Sequence, residues 1–502
     1  MRLPELLRTV APDVALPDVA VGRVLADSRQ VRPGDVFVAV PGTRVDGATF
    51  AVQAAAQGAA AIVAQRPLPG LGVPVVQVPD AALALGQLAH ALHGRACERV
   101  RVTGVTGTNG KTTTTFLLHW ILEASGRPAS LLGTIQNQIA GQRRKATQTT
   151  PDCVSLHRAL ADTAAAGAGD LVMEVSSHAL DQRRAAGVDF ACAVFTNLSR
   201  DHLDYHGSLE AYGDAKARLF EGLAPGRPCV LNVGDPFSAA LARRTRGRVV
   251  TYGWERRVWS DADVAAQLVD EELAGTRIRL RLGGRELPLF LPLVGPFNVE
   301  NALAAAAAAW GLGVEPEAIA HALEASQGVP GRLERVPGPA GSPTVLVDYA
   351  HTPDALTRVV ETLRPLTPGR LLVVFGCGGD RDRGKRPLMG RAVERAADLA
   401  LLTSDNPRSE DPQAILDEVL AGCERPDDVA ADPDRRRSIR VALEVAGPED
   451  VVLIAGKGHE QGQIVGDTTF PFDDRQVAAQ LLRGIWSPSS ASLARPRPRT
   501  AA

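Results

Sequence analysis

Lysine is the scarcest charged residue here: only five of the chain's 55 lysines and arginines are lysine, at positions 111, 145, 216, 385 and 457. Arginine can replace lysine on almost any solvated surface, but not where a compact ammonium or a titratable, nucleophilic amine is needed. Lys111, Lys216, Lys385 and Lys457 each fall in a segment with chemical character, so their survival marks candidate sites. Cysteine is also sparse. The six cysteines (97, 153, 192, 229, 377 and 423) form no C-x-x-C pair, which argues against a zinc site or disulfide framework and for reduced thiols. An excess of one charge is missing too: the formal net charge is −2, so no clustered basic surface is expected and nucleic acid is excluded as the main partner. The most apolar run, Ala302–Trp310, is far shorter than the ~20 residues a membrane span requires and reads as a packed alanine-rich helix. The first residues, Met-Arg-Leu-Pro-Glu-Leu-Leu, lack the basic stretch, apolar run and small-residue site of an export signal, so a cytoplasmic protein is expected.

What is present suggests an α/β protein. With 45% hydrophobic residues the chain can bury large cores, and its length predicts about three domains. Short β-like runs at Asp35–Val40, Ala61–Ala64 and Val73–Val78 alternate with alanine-rich helical stretches in a first unit. Val100–Val105 opens a second, running into a glycine-rich loop and then a helical segment at Thr112–Ala124, with buried parallel strands expected at Leu171–Val175 and Ala191–Asn197. After the Gly/Pro-rich Gly328–Pro343, apolar strands at Thr344–Asp348, Leu371–Phe375, Leu399–Thr403 and Val451–Ala455 alternate with helices in a doubly wound pattern, which gathers ligands at strand carboxyl ends. The Ser-, Pro- and Arg-biased tail is expected to be disordered.

The loop Gly107-Thr-Asn-Gly-Lys-Thr112 has the parts of a phosphate cradle. Its glycines let backbone N–H groups approach phosphate oxygens, Lys111 supplies a positive charge, and the Thr112 hydroxyl is suited to Mg²⁺. It is a variant of the generic pattern, with Val105 where the first glycine is usual and Gly104 and Gly107 beside it. Further motifs follow in order: Met173-Glu-Val-Ser-Ser-His-Ala-Leu180, Thr196-Asn-Leu-Ser-Arg-Asp-His-Leu-Asp-Tyr-His206, Tyr212-Gly-Asp-Ala-Lys216, Gly295-Pro-Phe-Asn-Val-Glu-Asn301, Asp348-Tyr-Ala-His-Thr-Pro353, Phe375-Gly-Cys-Gly-Gly-Asp-Arg-Asp382 and Gly456-Lys-Gly-His-Glu460. Together they resemble the Mur ligases, the ATP-dependent peptide-bond-forming enzymes of bacterial cell-wall precursor synthesis, and within them the type that adds the third amino acid. The resemblance implies a three-domain architecture: a small UDP-binding α/β domain (1–98), a central ATP-binding parallel-sheet domain (99–331) and a Rossmann-like amino-acid-binding domain (332–487), with the tail at 488–502.

The resemblance also assigns residues. ATP would be bound by Gly107, Thr108, Asn109, Gly110, Lys111, Thr112 and Thr113, with Asn298 toward adenine, Arg332 toward the phosphates and Asp348 toward the ribose. Lys111, Glu174, His202 and Lys216 would be catalytic. Thr112 and Glu174 would hold one Mg²⁺, while Lys216, carbamylated by CO₂, would hold a second with His202 nearby. A free lysine is cationic, with a pKa of about 10.4, and would repel Mg²⁺; CO₂ capture reverses that sign. The UDP-sugar peptide would be met by Ser28 in Asp27-Ser28-Arg29, by the loop Gly42–Gly47, and by Thr149, Thr150, Ser176, Gln182 and Arg184, with Gln148 standing where many relatives have Asn. The incoming amino acid would meet Arg381, Asp405, Asn406, Pro407, Arg408, Gly456 and Glu460. Arginine grips a carboxylate bidentately, so Arg408 favours meso-diaminopimelate, and Glu460 suits its distal ammonium.

The implied reaction is ATP-dependent joining of diaminopimelate to UDP-N-acetylmuramoyl-L-alanyl-D-glutamate through an acyl phosphate, by a monomer whose domains close over the site. Three alternatives remain open at this stage. They are the same chemistry with L-lysine or L-ornithine, a folylpolyglutamate synthetase, and a phosphate-loop binding protein without ligase activity.

Overall fold

The computed structural model describes residues 1–12, 16–42, 45–139, 141–254 and 261–486. Thr43 and Arg44 of the expected uridine loop, and the tail from Ser487, lie outside the described residues. The chain divides into two compact units, the first comprising Met1–Gln267, Arg279–Leu289 and Glu300–Ser326, the second Leu268–Ile278, Phe290–Val299 and the chain from Gln327. Both are mixed α/β with parallel sheets. No described helix is long and apolar enough to cross a membrane.

The first unit contains two sheets. A small parallel sheet orders Val24–Leu25, Val36–Val38, Ala61–Ala64 and Val75–Gln77. Its strands are shorter than the apolar runs suggested, for local reasons. Asp35 turns its carboxylate to Arg23 and to the Arg32 amide instead of extending the strand, and Pro74 and Pro79 bracket the last strand, where a missing N–H cannot join a ladder. In the larger sheet, parallel strands run in the order Val264–Glu272, Arg248–Trp254, Pro228–Asn232, Phe190–Phe195, Arg101–Thr106, Asp170–Glu174 and Ala129–Leu132. Arg101–Thr106 is thus interior, and Val102, Thr103, Val105 and Thr106 are β-branched and buried, as a strand covered on both faces requires. The antiparallel pair Gln136–Ile139 and Gln142–Lys145 extends one edge. These polar strands carry no alternating apolar face, so periodicity gave no sign of them. Their charged, exposed second member is typical of a sheet edge.

The phosphate-loop helix Lys111–Ala124 starts with four consecutive buried threonines, weak helix formers whose burial is supplied by tertiary packing. Leu117, Leu118, Ile121 and Leu122 continue the buried face. The alanine-rich run lies within the helix Pro296–Gly311, and Ala302–Ala309 are buried throughout.

The main sheet of the second unit has Glu334–Val336 paired antiparallel at the edge, and the parallel strands follow as Thr344–Asp348, Val451–Ala455, Leu371–Phe375, Leu399–Leu402 and Val429–Ala431, with a separate antiparallel pair at Gly462–Val465 and Thr468–Pro471. Beneath their carboxyl ends lies an ion pair with both side chains fully buried. The Arg435 guanidinium donates Nε to Asp474 Oδ1 at 2.8 Å and Nη2 to Oδ2 at 2.7 Å, and further reaches the carbonyls of Ala455 and Ser404. It therefore fastens two helices to two strand ends. Replacing Asp474 by Ala leaves a buried guanidinium without its counter-charge, and a loss of about 3–5 kcal/mol in unfolding free energy is expected. Glu424→Ala, which breaks an exposed pair with Arg395, should leave the midpoint of the same denaturant titration essentially unmoved.

Candidate active site

The loop after Arg101–Thr106 is fixed by close packing against Thr196–Ser199. Thr108 and Asn109 donate their backbone N–H groups to the Asn197 carbonyl (2.8 Å) and side chain (2.9 Å). Thr196 Oγ1 donates to the Asn109 carbonyl at 2.6 Å, and Ser199 N donates to Thr108 Oγ1 at 2.9 Å. This is why the strand stops at Phe195 and does not reach Asn197. Two glycines are obligatory for the fit: a Cβ on Gly107 would lie 1.8 Å from Thr196 Oγ1, and Gly110, at φ +85°, would place one 2.2 Å from Asn301 Oδ1. Lys111 folds back over its own loop, donating to the carbonyls of Gly107 (2.9 Å) and Thr108 (2.8 Å).

Lys216 reaches the same loop from the helix Leu209–Glu221. It is 1% exposed; its Nζ donates to the Gly107 carbonyl at 2.9 Å and sits 4.2 Å from the centroid of the Tyr212 ring. Burial, and then the neighbouring Lys111 charge, push its pKa well below the ordinary lysine value against the weaker pull of Asp201. The side chain therefore gives up its proton more readily than an exposed lysine, with its nitrogen held against the phosphate loop. His202, in a left-handed conformation at φ 52°, starts the short helix Leu203–His206 and packs edge-on against His178, with ring centroids 4.8 Å apart.

Glu174, at the end of the adjacent strand, is 1% exposed and receives Thr112 Oγ1 at 3.0 Å. It also receives Thr134 N at 2.7 Å and Thr134 Oγ1 at 3.1 Å. A buried carboxylate, a hydroxyl and a phosphate cradle form a hard-oxygen set that fits Mg²⁺, which is typically held by one or two carboxylates together with substrate phosphates. Among the described residues no group of three His, Cys, Asp or Glu side chains forms a metal site of its own.

Of the residues expected at the sugar-peptide substrate, Thr149, Thr150 and Ser176 adjoin this pocket, with Gln182 and Arg184 linked to them, whereas Ser28 makes its hydrogen bond elsewhere. Thr150 Oγ1 donates to the Glu174 carbonyl at 2.9 Å and accepts from Ser176 N at 3.0 Å, while Ser176 caps the helix Ser177–Asp181. Arg184 donates to Gln182 Oε1 and, through Nη1, to Gln148 Oε1 at 3.1 Å, so the departure at position 148 is built into the local network. Ser28 is buried and donates to Gln53 at 3.0 Å. Thr113 is buried in the first turn of the loop helix.

Asn298, Arg332 and Asp348 belong to the second unit. Asn298 is buried, with its amide on the Val294 carbonyl. The Arg332 guanidinium lies 4.7 Å from the Tyr349 ring centroid. Burial raises the pKa of Asp348 despite Arg332 and two backbone N–H donors, from Leu333 and Ala350.

In the second unit the predicted amino-acid contacts converge at strand carboxyl ends. Asn406 Nδ2 donates to Glu460 Oε2 at 2.9 Å, Arg408 Nη1 donates to the Gly379 carbonyl at 2.6 Å, and a Cβ on Gly456 would sit 2.7 Å from Asp405 Oδ2. Pro407 packs its carbonyl against Gly379, where a Cβ would approach it to 1.9 Å. Arg381 is exposed nearby in sequence to this loop. Lys457, fully buried, donates to both Asn406 Oδ1 and Glu460 Oε2 at 3.0 Å. Burial alone would raise the Glu460 pKa, but Lys457 and the Asn406 hydrogen bond outweigh it and hold the carboxyl below its ordinary value. Sequence assigned Lys457 no contact, although its rarity had marked it. Thr134 and Asn301 were also missed; Asn301 lies one turn beyond Asn298, and nothing in the sequence around Thr134 pointed to Glu174.

Comparison with known proteins matches these observations. A family model described as the Mur ligase middle domain covers residues 105–309, one described as Mur ligase, glutamate ligase domain covers 331–458, and one described as Mur ligase family, catalytic domain covers 21–93. A protein of Gloeobacter violaceus named UDP-N-acetylmuramoyl-L-alanyl-D-glutamate–2,6-diaminopimelate ligase is 46% identical over 485 residues, covering 96% of this chain and 98% of its own. One of the same name from Xanthomonas oryzae is 46% identical over 481 residues, covering 95% and 97%. A solved structure bearing that ligase's name superposes with a TM-score of 0.72 at 35% identity, covering 96% of this chain and 99% of its own. A folylpolyglutamate synthase from Thermotoga maritima shares the fold alone, with a TM-score of 0.57 at 17% identity, covering 75% and 90%.

Lys457→Met removes the charge that keeps Glu460 ionised, and burial then raises its pKa. In the parent the depressed pKa adds stability that is present above the unfolded value of about 4.3 and is lost as pH falls through the folded value. The variant should lack that acid-side loss. Unfolding free energies of the two proteins compared from pH 3 to pH 7 should therefore differ least at the acid end and most near neutrality.

Proposed function

The chain belongs to the Mur ligase family, and from that premise we propose that it uses ATP to join meso-2,6-diaminopimelate to the D-glutamate carboxylate of UDP-N-acetylmuramoyl-L-alanyl-D-glutamate, a step of peptidoglycan precursor synthesis in the cytoplasm. The observation that carries this reading is the loop itself: the buried Lys216 amine and Lys111 share the Gly107 carbonyl, one strand away from the Thr112–Glu174 pair. Full-length relatives of the same ligase name support the substrates.

A carboxylate does not accept an amine directly, because oxide would have to leave. The D-glutamate carboxylate oxygen attacks the γ-phosphorus of ATP, the bond to ADP breaks, and an acyl phosphate results. The diaminopimelate amine then attacks the acyl carbon, the tetrahedral intermediate expels phosphate, and the amine's proton leaves with solvent. The loop N–H groups hold the phosphates, and Lys111 exchanges its two loop carbonyls for the transferring phosphoryl group. Thr112 and Glu174 would hold one Mg²⁺, and Lys216 as a carbamate, with His202 nearby, a second, which would supply positive charge to offset the triphosphate. Lys216, as a neutral amine, forms a C–N bond to CO₂ and releases a proton to solvent; the carbamate keeps one N–H for the Gly107 carbonyl while presenting two oxygens that share one negative charge. Asn298, Arg332 and Asp348 serve the nucleotide, and Ser28, Thr149, Thr150, Ser176, Gln182 and Arg184 serve the UDP-sugar peptide. The protein acts as a monomer with small-molecule substrates.

Amino-acid choice follows from charge. Glu460 is already matched by Lys457, and Arg408, held on the Gly379 carbonyl, adds a further positive charge to this loop, an environment that suits a distal carboxylate plus ammonium and disfavours an ammonium alone. Phosphate release should require ATP, the muramoyl dipeptide and meso-diaminopimelate together, with product mass equal to dipeptide plus amino acid less water. L-Lysine and L-ornithine should be used at least ~100-fold less efficiently, and Arg408→Ala should narrow that ratio by about tenfold or more. Equal use of lysine by the parent protein would refute the charge argument.

A further inference from the structure

Thr134 stands between two pockets that the proposed function assigns to different substrates. Its backbone N–H and its hydroxyl both hold the Glu174 carboxylate, at 2.7 Å and 3.1 Å, and the same hydroxyl oxygen is 3.1 Å from Thr149 Oγ1. The preceding residue is a glycine for a visible reason: a Cβ on Gly133 would lie 2.5 Å from Glu174 Oε1. Glu174 is therefore gripped on both oxygens by one residue, with Thr112 sharing Oε2.

The direction of this hydrogen-bond chain follows from donor count. An ionised carboxylate only accepts, and a threonine hydroxyl has one proton to give. Thr134 must spend that proton on Glu174, so its contact with Thr149 has Thr149 as the donor. Thr149 in turn has no proton left for a ligand and offers lone pairs, which suits a hydroxyl or amide N–H of the sugar peptide better than a phosphate oxygen. A ligand donating into Thr149 polarises both following hydrogen bonds in the same sense, tightening the hold on Glu174.

Building on the proposed function, we infer that the Thr134 hydroxyl is a positioning residue that couples the two sites, so that the UDP-linked muramoyl dipeptide raises affinity for the metal–nucleotide complex by setting Glu174 in place. By linkage the nucleotide must raise affinity for the dipeptide by the same factor. Thr134→Val keeps shape and backbone N–H and removes only the relay; Thr134→Ser keeps it.

The test is titration calorimetry of the full chain with Mg²⁺ and a non-hydrolysable ATP analogue, with and without saturating UDP-N-acetylmuramoyl-L-alanyl-D-glutamate. The parent and the serine variant should show at least about fivefold tightening, the low end of ordinary coupling, and the valine variant less than about twofold, with its affinity for nucleotide alone changed by less than about threefold. Thr134→Ala supplies the same reading if the valine variant does not fold. Parent protein that binds both ligands without mutual effect, a valine variant that keeps full coupling, or one that loses nucleotide binding equally under both conditions would overturn the relay. Parent protein that binds nucleotide but not the muramoyl dipeptide would overturn the proposed function as well.

Discussion

The structure turns on a lysine amine confined beside a carbonyl. Lys216 is buried, its nitrogen bound to the Gly107 carbonyl on one side and facing the Tyr212 ring on the other. A full charge there would lie beside Lys111 in a poorly solvated pocket, and both effects push the lysine pKa down. Much else serves to keep this geometry. Thr196 and Asn197 lock the loop, Gly107 permits their approach, and the helix Leu209–Glu221 delivers Lys216 from the opposite direction. Tyr212 is itself buried, and burial raises its hydroxyl pKa to about 12, so its ring stays a neutral aromatic wall.

The second unit solves a similar problem with the charges kept. Lys457 and Arg435 are both fully buried, and each is matched, Lys457 by Glu460 and Asn406, Arg435 by Asp474 and two strand-end carbonyls. Such pairs add little stability over an apolar core, but leave few alternative positions for the loops they hold. Asn406 and Glu460 are set by Lys457, while Arg408 takes its position from the Gly379 carbonyl and a backbone bond to Ile464. The loop Asp405–Arg408 is thus held by a buried lysine on one side and by backbone carbonyls on the other.

Much of this was legible in the sequence where one local rule acted alone. Strands Thr344–Asp348, Leu371–Phe375 and Val451–Ala455 have the boundaries that their apolar runs suggest, because all three are interior and covered on both faces. Lysine scarcity marked Lys111, Lys216, Lys385 and Lys457, each of which holds a backbone carbonyl or a buried polar partner, whereas Lys145 lies exposed on an edge strand. The polar hairpin Gln136–Lys145 was not legible, since its strands are fixed by sheet edge pairing and not by any periodicity of their own. Thr134 escaped for a related reason: a lone threonine between a strand and a hairpin has no signature, and its role exists only once Asp170–Glu174 is laid beside Ala129–Leu132.

The central claim is that the buried Lys216 amine captures CO₂ in the folded protein. Carbon-13 NMR of the protein equilibrated with ¹³C-bicarbonate near neutral pH tests it directly. The account predicts one slowly exchanging carbamate resonance that is present in the parent and absent from Lys216→Ala. A parent spectrum without that resonance, or one in which it survives the substitution, would contradict the account.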